Sequence, residues 1–440
     1  MRTKFLTVYI AQSLSPLVDV VTIQQLPLYL QSSRLKHRQL WPQEIAWLKG
    51  NTQMDPHSLI PHYQALPFPA PLWLLQTLLI LGFFLHTIPM NFMLGGAFLA
   101  AIFLAKGLKD KNSYEYRIGR GLAKGLPIYT SVAITQGIVP LLFVQLIYGP
   151  MFYTSSVLIA VPWFAIIFIL LVAYFLLYWV VYKASPGPSE DSSKYPKAKY
   201  GPLVLLISVA MMAVIAFIFS NNMTLMLHPE KWMALYQHSA NGLNLNTADP
   251  QVPPRFLHMM IGALAVAGLL VGMYGLYWHK KDVDYSAWLI KRGSAIYIFY
   301  TLLQIPVGLW FMYSLGHDTM HKFMGTDTLA TGVFAVSMVL MLASLAGTIF
   351  AAFKGSAAAF TTGMTAGILC VLAMIVNRHQ LRHFMVSPYI QPESVQVSTQ
   401  WDLLIIFVLS AVALIAYLVW LGKTIYTAHN PATNAAQNAT

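Results

Sequence analysis

Two histidines, His86 and His258, are the only ones inside the long apolar runs of this chain. An imidazole kept away from water is neutral and presents a nitrogen lone pair, which makes it a ligand for a transition metal. Their spacing from the nearest basic residues is nearly equal. His86 lies 20 residues before Lys106, and His258 lies 22 residues before Lys280. At the rise of an α-helix both sit about 30–33 Å from the basic edge, near the opposite boundary of a bilayer. Arg378 lies 24 residues after Lys354, about 36 Å by the same count, on the same side. Arg378 and Arg382 are spaced i, i+4 and share a face if their helix continues, and His379 and His383 repeat that spacing one position on.

This set of types suits a haem. Iron needs a neutral imidazole in apolar surroundings, and the propionates need cations near water, which a guanidinium fork supplies. His86 and His258 are therefore the expected iron ligands, Arg378 and Arg382 the propionate partners, and His379 and His383 weaker metal candidates. Each signal has a plainer reading. A transmembrane histidine also serves to hydrogen-bond a neighbouring helix, the arginines to anchor a helix at the interface, and His379, His383, His317 and His321 to face solvent. One cysteine, Cys370, excludes an internal disulfide, a Cys-based zinc site and covalent Cys-x-x-Cys-His attachment, so any haem held by this chain would be non-covalent.

The elements that must position these residues are membrane helices. Of 440 residues, 57% are hydrophobic and only 10% charged, against about 25% charged in soluble domains. The mean hydropathy is +0.60. Apolar runs cover 80–105, 126–148, 157–182, 202–226, 256–278, 293–315, 328–353, 356–377 and 403–422. Each is long enough to cross a bilayer, which predicts an all-α polytopic bundle of about nine transmembrane helices over 71–426. Loops 106–125, 183–200 and 279–292 are basic and are expected in the cytoplasm, which places the N-terminus outside and the C-terminus inside. The net charge of +12 is confined to such loops with no basic aromatic stripe, so no nucleic acid is expected as a partner. Residues 1–70 read as an N-terminal extension without legible structure, and 427–440 as a disordered tail. No internal repeat or intramembrane charge speaks for a transporter.

At the histidines the sequence resembles the large, haem-binding subunit (subunit I) of the cytochrome bd quinol oxidases. Leu85-His86-Thr87-Ile88-Pro89 followed by Gly95-Gly96-Ala97-Phe98-Leu99 is similar to that family's first helix, where a histidine ligates a b-type haem. Arg255-Phe256-Leu257-His258 with Gly272-Met273-Tyr274-Gly275-Leu276-Tyr277-Trp278 resembles the helix that carries its low-spin haem ligand. Gly137-Ile138-Val139-Pro140, Phe152-Tyr153, Phe219-Ser220-Asn221-Asn222-Met223 and His228-Pro229 follow the family's order, over about residues 72–425.

Departures narrow what the resemblance implies. Span 157–182 holds no acid where the oxidase has carboxylates, only Gly316–Asp327 remain where it has its quinol-binding loop, and Leu329-Ala330-Thr331-Gly332 offers no methionine ligand. The resemblance therefore implies a shortened relative in the bacterial inner (cytoplasmic) membrane, a respiratory-chain oxidoreductase subunit rather than a terminal oxidase. It would pass electrons between quinone and an extracytoplasmic c-type cytochrome or other redox subunit, embedded in membrane lipid. The alternatives are a haem-free membrane scaffold and a divergent quinol oxidase.

Overall fold

In a computed structural model, residues 59–61, 66–187 and 190–428 are described, and they form an all-α polytopic helical bundle. Eleven α-helices follow one another: α1 Leu72–Gly107, α2 Tyr114–Leu158, α3 Ala160–Lys183, α4 Gly201–Leu225, the short α5 Trp232–His238, α6 Val252–Trp278, α7 Val283–Ser314, the short α8 His317–His321, α9 Thr328–Lys354, α10 Ala357–Val386 and α11 Trp401–Ala428. Among the described residues, eight helices are long and apolar enough to cross a membrane. The expected ninth span, 403–422, falls in α11, a 28-residue helix. The expectations for most of 1–70 and for 429–440 lie outside the described residues.

The helices extend well beyond the apolar runs. α2 begins at Tyr114 and so contains Arg117, Arg120 and Lys124 of the expected 106–125 loop, and it continues through 149–156 as well. Ser113 starts it by accepting a hydrogen bond from the Tyr116 N–H, and Asp282 and Asp327 do the same for α7 and α9. One interruption is local. Tyr148 leaves helical geometry (φ −122°, ψ 30°) two residues before Pro150, whose ring denies the preceding turn a donor and crowds it.

Three antiparallel hairpins, α1–α2, α6–α7 and α9–α10, supply the main packing, and α1 also lies against α4, α6 and α10. Their crossings are tight because small residues face each other. A side chain at Gly293 would strike the backbone of Gly272 at 2.5 Å and Gly268 at 2.6 Å. The end of the bundle where α1, α6 and α11 begin and α2, α4, α7 and α10 finish, here the upper end, is closed by irregular chain. Phe68 pairs with Val397, donating its N–H to Gln396 at 2.8 Å and accepting from Ser398 at 2.9 Å. Phe68 and Ala70 pack there with Leu75, Tyr148, Leu225, Trp232, Val386 and Ile390. The opposite, lower end carries Arg117, whose guanidinium lies 3.9 Å from the Tyr285 ring centroid and donates to Asp282 at 2.9 Å.

Candidate functional site

All six predicted site residues lie toward the upper end, on α1, α6 and α10. α10 does not stop at 377. It runs unbroken to Val386, so Arg378, His379, Arg382 and His383 belong to one helix and the i, i+4 pairs share faces.

His86 is anchored on α1 by a bond to α2. Its Nδ1 donates to the Ala133 carbonyl at 2.8 Å. The approach depends on Gly137, one turn further along α2: a Cβ there would lie 2.9 Å from His86 Cε1 and 3.0 Å from Nδ1. Because a carbonyl only accepts, the proton sits on Nδ1 and the lone pair on Nε2, which makes no hydrogen bond among the described residues. A second-nitrogen bond of this kind fixes the tautomer and orientation of metal-ligating histidines.

His258 on α6 faces Gly308 of α7, where a Cβ would stand at 3.4 Å from its Cε1 and 3.6 Å from its Nδ1. Its Nδ1 is buried without a hydrogen-bond partner. One turn below, Gln304 of α7 leans on Gly262, and its Oε1 is also buried and unpartnered.

Cations fill the space beside these rings. The Arg378 guanidinium lies 4.2 Å from the Phe83 ring centroid, and Phe83 in turn lies 6.1 Å from the His86 ring. The charge of Arg378 reaches His86, Arg382 and Arg255. Arg382 is 5% exposed and sits 5.4 Å from the Tyr148 ring centroid. Arg255, one turn before His258, lies 5.2 Å from the Phe311 ring and donates to Gln251 Oε1 at 3.3 Å. None of the three guanidiniums has an ion pair among the described residues. The Arg255 Nε is buried and unpartnered, and the Tyr148 hydroxyl, also buried, lies toward Arg382.

Buried polar atoms rarely lack partners, and each exception calls for a ligand, ion or water. Apart from the Ser185 and Ser294 hydroxyls, the exceptions lie mostly toward the upper end, joined by Asn377 Oδ1, His379 Nδ1 and Gln380 Oε1 on α10. Three mutually repelling guanidiniums in low dielectric need anions. The donor set (an imidazole with its distal nitrogen free, a second imidazole with an unpartnered Nδ1, and guanidiniums without ion pairs among the described residues) fits a haem with its two carboxylates. His379 and His383 sit apart in chemistry. His383 Nδ1 is 3.6 Å from Glu393 Oε1 at a half-exposed position, and no group of three or more metal-binding side chains occurs among the described residues.

Sequence reasoning passed over Arg255 and Tyr148. The i, i+3 spacing of Arg255 and His258 carried the signal for the first; nothing in the sequence distinguishes Tyr148 from the 22 other tyrosines.

A second polar cluster caps the same end. Asp249, whose side chain is fully buried, accepts from Lys231 Nζ at 2.6 Å, Asn246 Nδ2 at 3.1 Å and the Gln251 N–H at 2.9 Å. Burial alone would raise its pKa, but these bonds and the charge of His228 and Lys231 hold it below the ordinary carboxylate value. Glu230 is likewise lowered, against burial, by its bonds to His228, its own N–H and Tyr389.

No protein-family model matches the chain. No curated protein matches it in sequence. Among solved structures, a chain of the bd oxidase from Geobacillus thermodenitrificans matches with a TM-score of 0.62 at 12% identity, over 83% of this chain and 100% of that one. The likeness is one of fold: this membrane helical protein is built like a chain of that oxidase.

Proposed function

We propose that this protein is a b-type cytochrome-like subunit of the bacterial inner membrane that carries electrons between the quinone pool and an extracytoplasmic c-type cytochrome. The upper end faces outward, with the N-terminus outside and the C-terminus inside. His86 and His258 each hold a non-covalent haem b. The observation that carries this reading is the trio Arg255, Arg378 and Arg382, Arg382 buried and the other two half-buried toward the two histidines, with no ion pair to an acid among the described residues.

A bound haem supplies one-electron chemistry there. The chain's own residues do the rest. The Ala133 carbonyl fixes the tautomer and aim of His86. Arg378 and Arg382, with Arg255, neutralise the propionates. Phe83, Phe311 and Tyr148 dry the guanidiniums and stiffen them by cation–π contact. The fold's likeness to a bd oxidase chain supports a respiratory role. The lack of carboxylates in the middle of the spans speaks against proton delivery for oxygen reduction.

A second reading has its own observation. Both rings touch glycines of neighbouring helices, as helix-packing histidines of a haem-free scaffold would. A reduced-minus-oxidised spectrum of the purified protein separates the two. Electron transfer predicts a b-type band that is diminished in His86→Ala and in His258→Ala. A protein without the band, or a band unchanged in both variants, refutes the haem reading.

A further inference from the structure

The connection between α7 and α9, at the upper end, carries two histidines that the haem reading leaves unused. His317 and His321 stand i, i+4 on α8, and their ring centroids are 4.1 Å apart with an interplanar angle of 47°. That spacing puts both imidazoles on one face, one turn apart. His321 is half-buried, whereas the His317 side chain is 80% exposed, so an ion reaches the pair directly from water.

Five residues alone do not sustain a helical turn in water. Here the turn is held from both sides. Gly316 precedes it at φ 80°, a backbone angle that favours glycine, and its carbonyl accepts from the Met320 N–H at 3.0 Å. After the turn, Phe323 is buried with Leu315, Ala330 and Leu381. The Lys322 carbonyl accepts from the Asp327 N–H at 3.3 Å and from the Thr331 hydroxyl at 3.2 Å. The Lys322 ammonium lies 4.4 Å from the Phe384 ring centroid, so the cation next in sequence to the pair is drawn onto α10.

The pair has the reach for one metal ion. Two imidazoles bound tetrahedrally at Zn–N distances of about 2.0–2.1 Å have ring centroids about 5 Å apart. Small side-chain rotations open the observed 4.1 Å to that separation. A carboxylate stands behind the first ring: Asp318 Oδ1 is 3.6 Å from His317 Nδ1, and the Asp318 side chain is fully exposed and free to turn. A carboxylate on Nδ1 leaves Nε2 to ligate, the arrangement that orients metal-bound histidines. Imidazole suits late divalent ions, whereas Mg²⁺ and Ca²⁺ take oxygen ligands. No group of three or more metal-binding side chains occurs among the described residues, so water completes the coordination.

We propose that His317 and His321 form a two-histidine site for a late divalent metal ion of the zinc class, with Asp318 orienting His317. The ion staples the one turn of α8 and thereby orders the connection between α7 and α9. The site is separate from His86 and His258 and does not depend on the haem reading.

Metal counting tests it. The whole purified protein, without a histidine tag and stripped by a chelator, is dialysed against Zn²⁺, and bound metal is measured in wild type, His317→Gln, His321→Gln, Asp318→Asn and His279→Gln. His279 is exposed just beyond the lower end of α6 and serves as the control. The expected result is one Zn²⁺ fewer in His317→Gln and in His321→Gln than in wild type and His279→Gln, and an affinity weakened about tenfold or more in Asp318→Asn. Equal uptake in wild type and both histidine variants, as adventitious binding elsewhere would give, overturns the site. An affinity unchanged in Asp318→Asn overturns the orienting role of Asp318. If the histidine variants do not assemble, carbethoxylation of wild type with peptide mass mapping decides. Zn²⁺ that shields both His317 and His321 and leaves His279 reactive supports the site; shielding of fewer than both, or of His279 as well, overturns it.

Discussion

Gly137 and Gly308 each face a candidate ligand histidine, and their different clearances give a matched test of how tightly each ring is held. An alanine Cβ at position 137 would stand 2.9 Å from His86 Cε1 and 3.0 Å from Nδ1. Carbon contacts are comfortable from about 3.5 Å, so the ring would have to retreat by about 0.5 Å. That would stretch the 2.8 Å bond to the Ala133 carbonyl to about 3.3 Å, past the useful range for N–H···O. The lost bond costs about 1 kcal/mol, and the forced shift about 1–3 kcal/mol. Replacing glycine by alanine inside a helix returns about 0.5–1 kcal/mol. Gly137→Ala is therefore expected to destabilise the protein by about 1–3 kcal/mol net. At Gly308 the added Cβ would lie 3.4 Å and 3.6 Å from His258, an ordinary contact, so only the helix gain remains. Gly308→Ala should be neutral or stabilised by up to about 1 kcal/mol. Denaturant or thermal unfolding of both variants in one detergent measures the difference, and the b-type band should weaken or shift only in Gly137→Ala. Equal stability and equal spectra in the two variants would refute the claim that α2 pins His86.

The polar cap at the upper end yields a pH prediction with a definite sign. Asp249 has a lowered pKa in the fold, so its contribution is complete above the ordinary aspartate range and is lost as pH falls through the folded value. Wild type should lose stability below about pH 4, and Asp249→Asn should lack that part of the acid sensitivity. At neutral pH Asp249→Asn should cost about 2–3 kcal/mol, below the figure for a fully buried pair because Lys231 is about a third exposed. A double-mutant cycle with Lys231→Met measures the coupling; a value near zero would contradict the geometry. At the lower end, Arg117→Met removes a cation stacked on Tyr285 and bonded to Asp282, and should lower the unfolding midpoint most clearly in low salt. No change in the unfolding midpoint would show that this contact is only an arrangement of exposed side chains.

The helices were legible because lipid imposes a simple rule: an apolar run of about 20 residues must satisfy its own backbone bonds. Each of the nine expected spans matches a helix to within a residue or so, except that 157–182 begins in the last residues of α2 and crosses Ile159 before α3, and eight of the helices meet the length and hydropathy needed to cross a membrane. Their ends were not legible. Charged segments such as 114–125 read as loops by hydropathy, yet Tyr116, Ile118 and Leu122 are buried there against α1. Hydropathy averages over a window, whereas helix continuation depends on which face each residue presents.

The same averaging hid most of the candidate site. Asn377-Arg378-His379-Gln380 looks like the polar exit of a span, but Asn377, Gln380 and Arg382 are buried and the helix continues to Val386. These residues point inward at Tyr148, Phe83 and Ser337 instead of outward at lipid or water. Sequence counts could put His86 and His258 at a shared depth, with Arg378 slightly further out on the same side, because depth follows from rise per residue. They could not show that Arg255 on α6 joins the arginines of α10, because that depends on how two helices rotate against each other. Nor could they show that His228 and Asp249, 21 positions apart with the short helix α5 between them, approach one another. Depth along a helix is a local property, whereas azimuth and loop closure are set by the whole packing. Thus a polar helix end buried within a bundle is both where hydropathy misreads the chain and where unpaired charge marks a place for a bound group.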